Sequence, residues 1–214
     1  MMKRFLCICL YLFVCLATAQ AQKAEGIFGK AAAAYENANG ISASLAVNIR
    51  IGKQGNPESF EATIDMKGDR FRLITPDMRT WYDGKTLWTY MARTNEVNIT
   101  SPSGDELESV NPMILLRRYE KGFKLSYSGE STSDLGKMAD DVKLVSKGDS
   151  DIEEADLQID RASSLPVRIS VVMKNDIKSV IRISRMKTGV NQPESVFVFN
   201  AADYPDVLEV DLRY

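Results

Sequence analysis

Asp140-Asp141 and the run Asp149, Asp151, Glu153, Glu154 are the densest groupings of chemically capable side chains in this 214-residue chain. Carboxylates this close could hold a cation or divide acid and base roles between them. The second run loosely suggests a calcium loop but lacks its central glycine and spaced terminal glutamate, so a solvated turn is expected. Carboxylate pairs that hydrolyse glycosides meet in space, and sequence order does not locate them. The absences say more. There is no histidine, which removes Ser-His-Asp and Cys-His nucleophile systems and the usual imidazole metal sites. The three cysteines, Cys7, Cys9 and Cys15, all fall near the start, and no phosphate-cradling or dinucleotide-binding glycine motif is present. No metal, cofactor or enzymatic activity is expected, although a carboxylate enzyme stays as an alternative.

What the chain has in quantity is apolar volume. Both tryptophans lie between Met66 and Tyr90. That stretch reads as three short strands, with Phe71 and Leu73 alternating with Arg70 and Arg72, Trp81-Tyr82 ending a second, and Leu87, Trp88 and Tyr90 opening a third after the Asp83-Gly84 turn. Beyond the start, the methionines are Met66, Met78, Met91, Met113, Met138, Met173 and Met186. Methionine is flexible and polarizable, which suits both core filling and surfaces that adapt to ligands of varied shape.

The elements that would position these residues follow from periodicity. Lys3-Arg4, the apolar run Phe5 to Leu16 and the small residues Ala17 to Ala21 have the three regions of a secretory signal. Cleavage is expected after Ala21, or failing that after Ala19, leaving residues 22–214 as one domain; a lipidated Cys15 is the competing reading. The apolar run is shorter than the roughly 20 residues a spanning helix needs. Without Lys3 and Arg4 the balance is 25 basic to 29 acidic residues, which argues against nucleic acid as a partner.

Ala24 to Asn39 suits a helix with Ile27, Ala31, Ala34 and Tyr35 on one side and Asn39-Gly40 as its stop. From Ile41 the period becomes two. Leu45, Val47, Ile49 and Ile51, then Phe60, Ala62, Ile64 and Met66, alternate with polar residues as a long hairpin with one apolar face. With the central strands, Val97 and Ile99 this makes a six-stranded meander. Ser101 to Val110 reads as a polar, turn-rich break, and Asn111 to Tyr119 as a short proline-led helix, either buried on several sides or partly facing a cavity. Further strands are expected at 123–127, 142–145, 155–159, 165–173, 177–183 and 196–199, with a possible last one over 209–213. About a dozen strands in one antiparallel sheet must curl or close. The fold class is therefore mainly β with a few helices: a curved antiparallel sheet forming an open, incomplete barrel, apolar inside and covered by helices.

Phe71-Arg72-Leu73, Pro76, the run Asp83-Gly84-Lys85-Thr86-Leu87-Trp88-Thr89-Tyr90 and the proline-led helix Pro112 to Leu116 resemble the LolA family of periplasmic lipoprotein carriers. Leu165-Pro166-Val167 and Phe197-Val198-Phe199 continue the likeness more weakly, and Asp83 to Tyr90 is its specific part. The resemblance implies a periplasmic monomer whose lidded interior holds the acyl chains of lipoproteins. It also implies an inner-membrane ABC transporter as donor and an outer-membrane acceptor. A lipid or lipoprotein sensor of the same open-barrel kind is the alternative function. The expected ligand-binding residues are Leu45, Val47, Ile49, Phe60, Ile64, Phe71, Leu73, Trp81, Trp88, Met91, Met113, Leu115 and Leu116. Phe71 matches the family's lid-contacting aromatic. Lys67-Gly68 stands where the family has an Arg-Pro pair that fastens the lid, so Lys67 is the expected lid fastener, without the planar fork of arginine.

Overall fold

The two-residue alternation that begins at Ile41 builds a sheet whose inner face is apolar along nearly its whole width. In the computed structural model of the chain, the described backbone is that of residues 2–148 and 150–213. Side chains are described except at 2–19, 105, 108, 109, 112, 117, 118, 120 and 121. The meander consists of β1 (Ile41–Ile51), β2 (Glu58–Lys67), β3 (Arg70–Ile74), β4 (Met78–Tyr82), β5 (Leu87–Met91) and β6 (Glu96–Thr100). A second run follows with β7 (Phe123–Thr132), β8 (Met138–Ser146), β9 (Ile152–Asp160), β10 (Pro166–Met173) and β11 (Ile177–Thr188). The last strand, β12, is Leu208–Asp211.

All twelve form one sheet in the order β12-β6-β5-β4-β3-β2-β1-β11-β10-β9-β8-β7. The sheet is open, with β7 and β12 as its edges, and the expected fold class holds. Pairing is antiparallel except that β12 runs parallel to β6. The join between the two runs is β1 against β11, where Leu45 faces Ile183 and Val47 faces Ile181.

Three helices lie against the sheet or beside it. The first, α1 (Met2–Asn37), includes the stretch expected to be an export signal, whose side chains up to position 19 lie outside the described residues. Its buried stripe is Ala24, Phe28, Ala31 and Tyr35, continued by Ala38. That spacing of four and three is one helical face; Ile27 and Ala34 flank it, half-buried. Phe28 packs on Tyr119 with ring centroids 4.5 Å apart, and the Tyr35 hydroxyl donates to the Gly68 carbonyl at 3.2 Å. The helix stops where expected, since Asn39 and Gly40 both adopt positive φ. A Cβ on Gly40 would come within 2.0 Å of the Val190 carbonyl oxygen, so the close approach of these two chains requires glycine.

The stretch expected to be a turn-rich break holds α2 (Gly104–Val110) instead. Its signature is a capping box: Ser103 Oγ accepts from the Glu106 amide while the Glu106 carboxylate accepts from the Ser103 amide. A 3₁₀ turn, Pro112–Ile114, leads into α3 (Leu115–Gly122). The segment from Gly189 to Val207, expected to contain a strand at 196–199, is a strap with two 3₁₀ turns, Glu194–Phe197 and Ala201–Asp203. It lies on the outer face and buries Phe197 completely. The Val196 amide donates back to the Pro193 carbonyl at 3.0 Å, a local turn bond that removes it from any ladder.

Candidate functional site

Inner-face residues of neighbouring strands define a cavity. On β1, Ala43, Leu45, Val47 and Ile49 point inward. Across the β1–β2 register Leu45 meets Ala62, Val47 meets Phe60 and Ala43 meets Ile64. β3 adds Leu73 opposite Ile64, and β11 adds Ile183 and Ile181, the latter opposite Ile169 of β10. Val110, Asn111 and Met113, from the end of α2 and the turn after it, close the remaining side. The enclosed space is about 290 Å³.

Its lining is apolar apart from Thr75, Ser179 and Asn111, and among the described residues it holds no ionisable side chain. Four methionines, Met66, Met78, Met113 and Met186, line it, so much of the wall can change shape at low cost. Asn111 is buried and belongs to the backbone as much as to the cavity. Its amide donates to the Leu107 carbonyl at 2.8 Å, ending α2, and its Oδ1 accepts from the Met113 amide at 3.1 Å. Its Nδ2 rests 3.9 Å from the Met66 sulfur.

The cavity has a closed end and an open one. Along β1, exposure is 1% at Ile41, 4% at Ala43 and 7% at Leu45; Val47 and Ile49 are half-buried, and Ile51 at the tip is 62% exposed. The same gradient runs along β2 from Met66 to Phe60 and along β11 from Ile183 to Ser179. At the closed end the space stops against Met66, Asn111 and Met113, with Leu115 and Leu116 wholly buried in the same core.

Of the residues expected to bind ligand, Leu45, Val47, Ile49, Phe60, Ile64, Leu73 and Met113 line this cavity. Phe71, Leu115 and Leu116 do not; they are fully buried in the core, with Phe71 tilted against Tyr82 at 5.6 Å. Met91 pairs with Met78 on the inner face but lies outside the lining. The tryptophans are a correction: both sit on the opposite face. In β4, Met78, Thr80 and Tyr82 point inward, so Trp81 points out, and Trp88 is its cross-strand partner. Trp81 packs edge-on against Phe199 at 5.4 Å and Tyr204 at 5.8 Å, both from the strap. Since these are the only two tryptophans, intrinsic tryptophan emission should not shift when the cavity fills. A titration with a non-fluorescent fatty acid checks this, and a clear blue shift would place Trp88 in contact with ligand.

Lys67 is the second correction. Among the described residues its ammonium reaches the strap and not the helices: it donates to the Gln192 carbonyl at 3.1 Å and lies 3.9 Å from the Glu194 carboxylate. Arg70 pairs with the same Glu194, and Gln192 Nε2 donates to the Ile41 carbonyl at 3.1 Å. Under the strap lies an outer pocket of about 620 Å³ lined by Arg72, Arg79, Trp81 and Tyr204 among others. Arg72 is held by Asp65 at 2.7 Å, and Arg79 donates to the Tyr204 hydroxyl at 2.9 Å, which raises its pKa. Of the acidic clusters singled out in the sequence, Asp140 takes part in an ion pair with Arg161 at 2.6 Å that holds its carboxyl below the usual range. Asp149 lies outside the described residues. Burial pushes the Asp156 carboxyl up; it lines a polar outer pocket with Asp141 and Arg168.

Among the cavity residues that sequence reasoning missed, Ile169 comes from β10 and Ser179, Ile181, Ile183 and Met186 from β11. Their alternation is visible in the sequence, but the pairing that brings Ile181 and Ile183 beside Val47 and Leu45 spans well over a hundred residues. Ala43 was overlooked, and Ala62, read as part of the apolar face, was not counted as ligand-binding, because small side chains carry little apolar signal, though the two are what leaves the space open.

Among solved structures, the chain is similar to an uncharacterised conserved protein from Thermus thermophilus at 15% identity and a TM-score of 0.60, over 88% of this chain and 99% of that one. It is also similar to a LolA superfamily protein from Nitrosomonas europaea at 13% identity and a TM-score of 0.47, over 82% and 97%. The lipoprotein LppX of Mycobacterium tuberculosis gives 15% identity and a TM-score of 0.49, over 79% and 98%. No curated protein matches by sequence. The family model of the outer membrane lipoprotein carrier protein LolA matches residues 15–175, three quarters of the sequence and all of the cavity wall as far as β10. An open twelve-stranded sheet with a helix-capped apolar cavity, together with that match, places the chain in the LolA family of outer membrane lipoprotein carriers.

Proposed function

We propose that this protein is an exported carrier that holds lipoprotein acyl chains in the inner-face cavity and ferries them across the periplasm to the outer membrane. Residues 1–21 act as its export signal and residues 22–214 as one carrier domain, working as a monomer. The observation that carries this reading is the cavity wall, apolar apart from Thr75, Ser179 and Asn111 and without an ionisable group among the described residues. Removing from water the dozen or so carbons that about 290 Å³ can hold is worth on the order of 10 kcal/mol, at about 0.8 per methylene. Spontaneous release into water is therefore negligible, and cargo has to pass by direct docking. An inner-membrane ABC transporter supplies the energy at loading, and an outer-membrane acceptor takes the cargo at comparable free energy.

The test is native mass spectrometry of the purified protein, with extraction and identification of whatever lipid leaves it. An acylated species displaced by added lipoprotein supports the carrier. A protein that takes up neither lipid nor lipopeptide overturns it. Because no described lining group is ionisable, loading measured in this way should stay flat from about pH 5 to about pH 9, a range within which exposed carboxylates and lysines keep their charge. A bell-shaped profile would point to an ionisable group at the ligand.

A further inference from the structure

We infer that the cavity takes a single acyl chain, methyl end first, and measures it at about a dozen carbons. The inference rests on the lipid-binding reading above and adds to it a ligand class: one-chain lipids, or one chain of a multiply acylated lipid with the others left outside. An apolar cavity of about 150 Å³ holds one benzene, six carbons. On that scale the roughly 290 Å³ available here takes about twelve carbons, whereas two chains of 16 would need roughly 800 Å³.

The shape makes the space a ruler. Among the described residues the exposure of the β1, β2 and β11 lining rises toward Ile49, Phe60 and Ser179, so a chain enters there and its polar head stays in water. At the other end it meets the side chains of Met66 and Met113, backed by Asn111. Asn111 is fixed by its bonds to Leu107 and Met113, and its amide nitrogen lies on the Met66 sulfur. Carbons beyond the capacity of the cavity stay at the rim and gain little.

The experiment is displacement of a fluorescent fatty acid from the purified protein by saturated fatty acids of 8 to 18 carbons. Affinity should rise about 4-fold per methylene while carbons are being buried, then level off near twelve. Lysophosphatidylglycerol and its diacyl counterpart should bind with the same affinity. Ala62→Leu, which adds three carbons to the wall, should move the plateau down by about three carbons, and Met113→Ala should move it up; thermal melts of both variants confirm the fold. A slope that persists to 18 carbons, a diacyl lipid bound more than tenfold tighter than its lyso form, or plateaus unmoved in both variants would overturn the ruler while leaving the carrier standing. Absence of binding by every lipid would overturn both.

Discussion

A glutamate in place of Val47 is expected to weaken acyl-chain binding by on the order of 100-fold while the protein still folds. Val47 is half-buried in the middle of the cavity, between Phe60 on β2 and Ile181 on β11. With the cavity empty, a carboxylate there reaches water through the open end. With a chain bound it would be stripped of that water and given no partner, because the described lining offers no cation; burying an unpaired charge costs several kcal/mol. Asn48→Glu is the control. It lies one residue along the same strand, hence on the opposite face, bonded to the Ser59 hydroxyl at 2.9 Å. It should bind lipid normally. Displacement assays and circular dichroism on the two variants decide the matter, and equal loss in both would mean that the inner face is not where lipid sits.

Phe71→Ala is expected to cost about 3–5 kcal/mol of folding stability, the usual range for removing a fully buried phenylalanine. Phe71→Glu should not fold at all, since the charge would have no route to solvent. Phe71 is 0% exposed, opposite Met66 on β2 and Tyr82 on β4, beyond the closed end of the cavity. The family resemblance makes this residue the aromatic that touches a lid. The structure makes it part of the core on which the lid helices rest, and the two roles predict different results. Urea unfolding of Phe71→Ala separates them. A loss below about 1 kcal/mol, small for a large core truncation, with impaired loading would restore the lid-contact role. A large loss of stability would show that loading defects at Phe71 follow from unfolding.

The strands were legible in the sequence because alternation is a local property. Leu45, Val47 and Ile49 on β1, and Phe60 and Ile64 on β2, identify an inward face before any pairing is known. The hairpin register then follows from the turn between them. The tryptophans were misplaced for a reason equally local. Trp81 and Tyr82 are adjacent in one strand and cannot share a face; the inward partner is Tyr82, because Met78 and Thr80 lie on its side. Helix α2 was passed over although its Ser103-x-x-Glu106 capping box was readable, since the polar composition around it outweighed the cap.

By itself the sequence determined that this is an open, mainly β sheet with one apolar face, little catalytic equipment and a family likeness centred on Asp83 to Tyr90. Local period, the absence of histidine and turn chemistry suffice for that. Only the tertiary structure decided what that apolar face encloses. The β1–β11 pairing, the placement of Asn111 and Met113 across the space and the strap bound to Lys67 and Arg70 are contacts between distant segments. Such contacts are selected by burial and hydrogen bonding in the folded chain and leave no periodic trace in the sequence. The size of the cavity is a difference between the volume the walls enclose and the volume their side chains fill, so it exists only once every wall is in place.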